Sequence, residues 1–583
     1  MSKFAKRRII FIILFISSIT ANAQLLVSLY SRINTSAQVR VSASAASNED
    51  IRPLWSYSNQ WGLENVYDQL GANIYGKYSV NYNSFHAYEL KYSSLWSPIL
   101  PQNQTVRQLF SATACVSGQL STESLRTMIH EAYVAGNFWI IDYTIGLQAF
   151  TPIVTNNELS SGSYLMSNNA RPIPRIGMGI FNYWSVPYTR NLVQLRGGIF
   201  FGLKTNEGVA EYSDNILFHE KFIYARLGTQ YVKPYVGLVH SAMMGGTLPN
   251  GTKIPLDFWN SFLARNGDAS KFTTDFERGE TTNAAGAHQG MWDLGLNIDW
   301  ADCSALLYYQ RPFADSKAKT LFKRFYNNKD FTVGANINLP WQHLQMINFE
   351  FVKTDWQGGE GTPDPIFYDK NGTLCVIYPG DIDKNKWREW MQSHIADDVV
   401  AEYEAYIGRE MQECDDLFKL FEHCYNHGLK YGGRSNYLGN AFYPQGWSTA
   451  YLSMGSAFAQ TNYTVRKYAD ESQLAFKTGF SIVRYRVLNF GAKGSFSSRI
   501  DYRFRCGFAK YYGNLIEKYG GNSFSWNKLE PYYFDSPRKE LHLNVNVKYK
   551  FDKYPLSILC DVSGDAGDMY DSYSLRLGAQ LDL

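Results

Sequence analysis

The sequence predicts an all-β fold, a large closed antiparallel transmembrane β-barrel with lumen-blocking loops. Three observations carry that prediction. The chain ends on unbroken two-residue alternation, the same alternation recurs upstream at membrane-spanning length, and the connections between such stretches are unequal.

From Tyr573 the apolar positions are Tyr573, Leu575, Leu577, Ala579, Leu581 and Leu583, separated by Ser574, Arg576, Gly578, Gln580 and Asp582. A tilted transmembrane strand needs about 9–11 residues, one face to lipid and one to the lumen. Leu541 to Phe551 repeats the pattern, with His542, Asn544, Asn546, Lys548 and Lys550 on the alternate face. A short turn, Asp552-Lys553-Tyr554-Pro555, leads to the next strand, and a longer polar loop is expected over Val562 to Ser572. Ala72 to Tyr82, Ser481 to Phe490 and Tyr502 to Phe508 fit the same template. A secreted β-sandwich also alternates, but its strands average about 5–6 residues.

Composition agrees once the alternation is seen. The 583 residues hold 56 Lys+Arg against 53 Asp+Glu, 19% charged and 16% aromatic. Mean hydropathy is −0.30 and the pI about 8.2. Balanced charge offers no sequence-wide basic field for nucleic acid. A polytopic helical membrane protein would need repeated apolar runs of about 20 residues.

The first residues read as an export signal: a basic start at Lys3, Lys6, Arg7 and Arg8, an apolar run from Ile9 to Ile19, and Ala21-Asn22-Ala23 as a small-x-small cleavage site. The apolar run is too short to cross about 30 Å of hydrocarbon. Cleavage after Ala23 removes four cations and no acid, so the net charge of +3 becomes −1 in residues 24–583. A barrel of about 16–18 strands uses roughly 160–180 residues in its wall. More than half of the chain is then loops, turns and plug, and an outer-membrane location follows.

Two segments depart from the β pattern. Residues 255–265 (PLDFWNSFLAR) place Leu256, Trp259, Phe262 and Leu263 at helical spacing. Residues 381–431 read as a longer helical insertion, with Trp387, Met391, Ile395 and Val399 in one stripe and Cys414, Leu417, Phe421 and Cys424 in another. Nine acidic residues between Asp397 and Glu422, against Arg409 and Lys419, keep this segment out of lipid as a solvated lid.

Seven scattered cysteines make no disulfide framework. A bridge from Cys375 to Cys414 or Cys424 stays open. His423 and His427 share a helix face, yet no HExxH or matched CxxC pair accompanies them, so no metal and no cofactor is expected. No Walker loop, GxSxG elbow or GxGxxG is present, and no enzyme activity is expected.

Further motifs carry a resemblance. Glu158-Leu159-Ser160-Ser161-Gly162-Ser163 is followed by Ser167-Asn168-Asn169-Ala170-Arg171-Pro172-Ile173-Pro174. Around this block, in order, lie Asn59-Gln60-Trp61-Gly62, His130-Glu131-Ala132-Tyr133-Val134, His219-Glu220-Lys221, and Gly237-Leu238-Val239-His240. Gly286-Ala287-His288, Tyr308-Tyr309-Gln310-Arg311-Pro312-Phe313, Gly446-Trp447 and Asp565-Ala566-Gly567-Asp568-Met569-Tyr570 complete the series. Together they resemble the Wzi-type capsule assembly family across nearly the whole of residues 24–583. Gly146-Leu147-Gln148 and Gly286-Ala287-His288 depart from that family's pattern.

The resemblance implies about 18 strands, a blocked lumen, and a surface lectin that holds exported capsular polysaccharide to the cell. Tyr and Trp supply rings for sugar C–H faces, and Asn, Arg and His supply directional hydrogen bonds. On that basis Asn168, Asn169, Arg171, His240, His288, Arg311, Arg434, Tyr443 and Trp447 are the polysaccharide-binding candidates. An equally good structural role for Arg171 is pinning a plug loop. Expected partners are capsular polysaccharide, outer-membrane lipid and, through the C-terminal strand 573–583, the barrel-assembly machinery, with the chain a monomer. A porin-like or polysaccharide-translocating channel is the competing reading, and a barrel hydrolase a remote third.

Overall fold

A computed structural model describes residues 33–84, 87–89, 106–122, 127–153, 156–228, 230–271, 285–313, 330–355, 366–368, 374–376, 382–417, 419–420, 438–440, 442–467, 479–513 and 537–583. The predicted signal peptide, residues 1–23 with Ala23, lies outside the described residues.

The wall begins with β1 (Ile33–Ala46), β2 (Leu70–Asn83), β3 (Phe110–Ser121), β4 (Thr127–Phe138), β5 (Ile141–Leu147) and β6 (Pro174–Ser185). It continues through β7 (Val193–Lys204), β8 (Ile216–Leu227), β9 (Val232–Met244), β10 (Ala287–Trp300), β11 (Cys303–Phe313) and β12 (Phe331–Trp341). The last strands are β13 (Leu344–Lys353), β14 (Arg484–Ser497), β15 (Ile500–Gly513), β16 (Arg538–Lys550), β17 (Leu556–Gly567) and β18 (Ser572–Asp582). They form one 18-stranded sheet in which each strand pairs with its neighbour in this order. The sheet closes where β1 pairs antiparallel with β18, Gln38 opposite Asp582 and Ala46 opposite Ser574. Closure leaves no row of unpaired backbone groups facing lipid, which a spanning β structure requires.

Alternation sorts the side chains as predicted. On β16, Leu541, Leu543 and Val545 are exposed outward, while His542 and Asn544 are 0% exposed on the inner face. The outward belt includes Val39, Ile74, Val116, Ile145, Ile176, Ile223, Leu296, Val333, Leu488 and Leu577. This is the surface of an outer-membrane barrel, apolar where it meets hydrocarbon. Among the described residues, no helix is long and apolar enough to cross a membrane.

The connections are asymmetric. One rim carries the two-residue turns 139–140, 301–302, 342–343 and 498–499, and the other carries segments such as 148–173, 245–286 and 354–483. Residues 84–109 are a long connection on the short-turn rim. Exposed Trp139, Tyr188, Tyr231, Trp300, Trp341, Phe496 and Tyr554 ring that rim as an aromatic girdle. Long loops mark the opposite rim as the cell-surface side.

Three expectations need correction. β17 runs to Gly567, so the loop before β18 is residues 568–571 rather than 562–572. Ser563 and Asp565 are buried inward while Val562 is exposed, so polar residues here belong to the lumen face of a strand. The stretch 481–490 is not one strand: Phe480–Ile482 pairs with Gln460–Thr461 inside the lumen, and the wall resumes at Arg484. The helices are also shorter. Residues 255–265 yield α1 (Phe258–Leu263) after Asp257. The insertion contains α2 (Trp387–His394) and α3 (Asp397–Ile407), separated by extended backbone at Ile395 and Ala396.

Asp397 and Asp398 favour a fresh helix start, where the dipole is positive, and left-handed Gly408 ends α3. The two apolar stripes nevertheless meet: Trp387, Ile395, Tyr403, Met411 and Leu417 form a small core of their own. Bonds from Arg409 and from the Gln412 and Glu413 amides hold the Asp416 carboxyl well below the usual carboxylate range. Cys414 is a free thiol. The Cys375 side chain and all of Cys424 lie outside the described residues, as do His423, His427 and Arg434.

Candidate functional site

Three stretches enter the lumen from the cell-surface rim: residues 47–69 and the described parts of 148–173 and 438–483. Their apolar side chains, including Leu54, Trp55, Leu165, Trp447 and Phe458, share one buried core with inward wall residues such as Phe200, Tyr224 and Met291. Polar side chains share the inward face of the wall with these apolar ones, and their hydrogen bonds satisfy plug backbone groups that would otherwise be orphaned.

Wall side chains bind the plug from around the ring. Glu350 on β13 accepts the Ser161 amide at 2.6 Å, the Tyr308 hydroxyl at 2.5 Å and the Asn489 amide nitrogen at 3.1 Å. Asp565 on β17 accepts the Leu54 amide at 2.7 Å and the Tyr570 hydroxyl at 2.9 Å. Arg505 on β15 lies 4.4 Å over the Trp55 ring and donates to the Trp55 carbonyl at 3.2 Å. On the opposite arc, buried Lys204 donates to the Gly446 and Ser448 carbonyls, both at 2.9 Å. Arg196 reaches the Pro152 carbonyl at 2.8 Å. The described plug therefore spans the lumen rather than lining it.

Five of the candidate residues lie in this plug. Asn168 donates to the Asn59 and Asn157 carbonyls at 2.9 and 2.6 Å. Asn169 donates to the Ser453 carbonyl at 2.9 Å and accepts the Asn59 amide at 3.2 Å. Two sequence motifs are thus zipped together, and the Trp61 and Gly62 amides complete the seam on the Asn168 and Asn169 carbonyls. Gly62 is left-handed at φ 65°, and a Cβ there would sit 2.5 Å from the Arg171 side chain, so only glycine fits. Arg171 donates to the Ile129 carbonyl at 3.3 Å and lines a small cleft with Trp61 and Gln148. Tyr443 is fully buried, its hydroxyl on the Gly245 carbonyl at 3.1 Å. Trp447 is buried edge-on to Phe218.

His240, His288 and Arg311 are elsewhere. Register pairs Lys221 with His240, Ala242 with His288 and Trp292 with Arg311. All three share the parity of the exposed Ile223, Val236, Leu296 and Leu307, which places them on the outer face of the wall. His240 Nε2 meets His288 Nδ1 at 3.1 Å. The plug candidates and these three therefore do not form one site.

A surface that the motifs did not mark tops the plug. Ser448–Thr449 and Leu452–Ser453 form a hairpin whose two turn residues, Ala450 and Tyr451, are both left-handed, at φ 48° and 67°. Such a turn usually takes Asn or Gly, so a side chain as large as tyrosine is held there at a cost. The Tyr451 ring stacks on Tyr463 with centroids 4.1 Å apart and planes 16° apart. Tyr463 belongs to α4 (Asn462–Val465). The Thr461 hydroxyl fixes the pair, accepting the Thr464 amide at 3.3 Å while donating to the Tyr451 carbonyl at 2.6 Å.

Exposed Arg466 lies 4.1 Å over Tyr463, and exposed Lys467 lies 4.6 Å over Tyr67. Tyr212 approaches Tyr451 at 6.4 Å from the 205–215 loop. Burial pushes the Tyr67 and Tyr212 hydroxyls above their ordinary range, so both are neutral at physiological pH. Glu207 borders the patch, its carboxylate taken by the Ala450 amide at 2.7 Å. The result is a half-buried aromatic platform with two exposed cations laid over its rings. Among the described residues, no group of three or more His, Cys, Asp or Glu is placed to hold a metal ion.

No protein-family model matches the chain, and no curated protein matches it. Among solved structures it is similar to Wzi of Escherichia coli, described as an outer-membrane protein involved in group 1 capsule assembly and a carbohydrate-binding β-barrel. Identity is 11%, coverage 93% of this chain and 84% of that one, and the TM-score 0.46. It is also similar to Pseudomonas aeruginosa OccK5 (OpdH), at 8% identity, 95% and 98% coverage and TM-score 0.39. For Pseudomonas aeruginosa OprD the values are 10%, 94% and 95%, and 0.37. Likenesses this distant do not separate one barrel function from another. The barrel itself rests on its own strand pairing and apolar belt.

Proposed function

We propose that this outer-membrane barrel is a surface lectin that anchors and organises exported capsular polysaccharide, and that it catalyses no reaction. The observation that carries the reading is the Tyr451–Tyr463 stack with Arg466 and Lys467, set on the outward surface of a plug that fills the lumen. Tyr463 lies between Tyr451 and Arg466, so the flat ring offered to sugar C–H faces is that of Tyr451, and the cations suit the carboxylates of an acidic polysaccharide. The order of motifs that resembles the capsule assembly family supports the same class. Loss of the gene is expected to release capsular polysaccharide into the medium while synthesis continues. Unchanged retention at the cell surface would refute the anchoring role.

The second reading is a porin-like or polysaccharide-translocating channel. It is favoured by the charged inner wall in the short-turn half, where Lys233 meets Asp299 at 2.6 Å and Lys548 meets Asp582 at 3.7 Å. A channel gives measurable single-channel conductance in planar bilayers, whereas a plugged lectin gives almost none. A monomeric barrel that presents strand 573–583 to the assembly machinery fits either reading.

A further inference from the structure

The segment between β9 and β10 carries α1 out of the barrel and over the outer face of the wall. Phe258 and Phe262 stack against the outward Phe201, at 5.9 and 6.4 Å, and Phe262 also covers the outward His219 at 4.6 Å. Outward Lys221 lies 3.9 Å over the Phe262 ring and donates to the Phe262 carbonyl. Beneath and beside this strap, His219, His240 and His288 are buried. Elsewhere, about the same distance from the cell-surface rim, the wall shows exposed apolar residues: Ile129 on β4, Ile176 on β6, Leu203 on β7 and Tyr573 on β18. The arc from β8 to β10 thus places histidine and lysine where its neighbours face lipid.

The strap restores what the arc lacks. Its own outward side chains are Leu256, Trp259 and Leu263, exposed by 49%, 69% and 42%. They continue the apolar belt of β7 and β8, and Trp259 is the side chain favoured where hydrocarbon meets head groups. Lys253 and Arg265, both exposed, bracket the apolar group along the chain. We propose that this strap is an interfacial anchor seated in the outer leaflet, with Leu256, Trp259 and Leu263 in the acyl boundary and Lys253 and Arg265 on the phosphates of an anionic lipid. Continuity with the lipid-facing belt and complementary charge single out lipid over a second copy of the chain. The proposal is independent of what the plug binds.

The test is the full chain carrying the photo-crosslinker p-benzoylphenylalanine at Trp259, or at Tyr406 on α3 as control, in vesicles containing lipopolysaccharide. Tyr406 is 63% exposed, so both positions tolerate the replacement. A lipid adduct at 259 and none at 406 is expected. Protein-sized adducts at 259, or no adduct, would overturn the proposal. Lys253→Ser with Arg265→Ser is expected to lower adduct yield several-fold in those vesicles and to leave it unchanged in phosphatidylcholine alone. Equal yields in lipopolysaccharide vesicles with and without the two cations would remove their assigned role.

Discussion

The interior and the outer surface of the plug share chain segments 47–69 and 438–483 but differ in kind. The interior is consumed by its own bonds: Asn168 and Asn169 direct their side chains to backbone carbonyls, and Tyr443 and Trp447 are buried. The outer surface leaves Arg466 and Lys467 exposed over tyrosine rings. Recognisable motif blocks therefore mark how the plug is held, whereas a less recognisable patch carries the exposed cations on which the proposed glycan binding rests.

Breaking the interior should have the largest effect. Glu350→Ala would leave the Ser161 amide, the Tyr308 hydroxyl and the Asn489 amide without their shared acceptor, a loss of about 1–3 kcal/mol for each buried donor left unsatisfied. The expected outcome is a lowered heat-modifiability midpoint on gels and a rise in bilayer conductance, because the plug would lose its hold on β13. A variant as closed and as stable as the parent would contradict the pinning account.

Changes on the outer surface should separate binding from closure. Tyr463→Ala removes one ring of the platform and is expected to weaken glycan binding roughly tenfold, about 1.4 kcal/mol. Conductance and melting should stay near the parent values. Arg466→Ser with Lys467→Ser should act more modestly, lowering affinity for acidic glycans several-fold and flattening its salt dependence, as measured by titration at two ionic strengths.

The smallest effect concerns the helical insertion, away from both surfaces. The Asp416 carboxyl is depressed, so its contribution is fully present above the unfolded value of about 3.9 and is lost as pH falls through the folded value. The insertion should keep its helical signal to well below pH 4. Asp416→Asn should remove that acid dependence and lower stability at pH 7, as read by circular dichroism during acid titration.

Much of the wall was legible because only two environments act on it. On β16 and β18, lipid and lumen alternate, and the predicted inward set of His542, Asn544 and Arg576 is the observed one. β17 was read too short because Ser563, Asp565 and Gly567 look like loop residues until the folded lumen supplies partners, Asn544 of the wall for Ser563 and Leu54 of the plug for Asp565. The arc at β8–β10 misled for the converse reason: chain covers chain, so His240 and His288 on the outer face have the polarity expected of a lumen. Arg311 shares that face. The platform was illegible. Ala450-Tyr451 carries none of the Asn-Gly signature of a left-handed turn, and nothing local brings Tyr451 to Tyr463.

The most direct measurement is the binding of purified protein to a panel of capsular polysaccharides, with Tyr463→Ala, Arg466→Ser in one chain as the comparison. Saturable binding of the parent to at least one capsular glycan, lost in the double variant while the lumen stays non-conducting, is the expected result. A parent chain that binds none of them and passes ions through an open lumen would contradict the account.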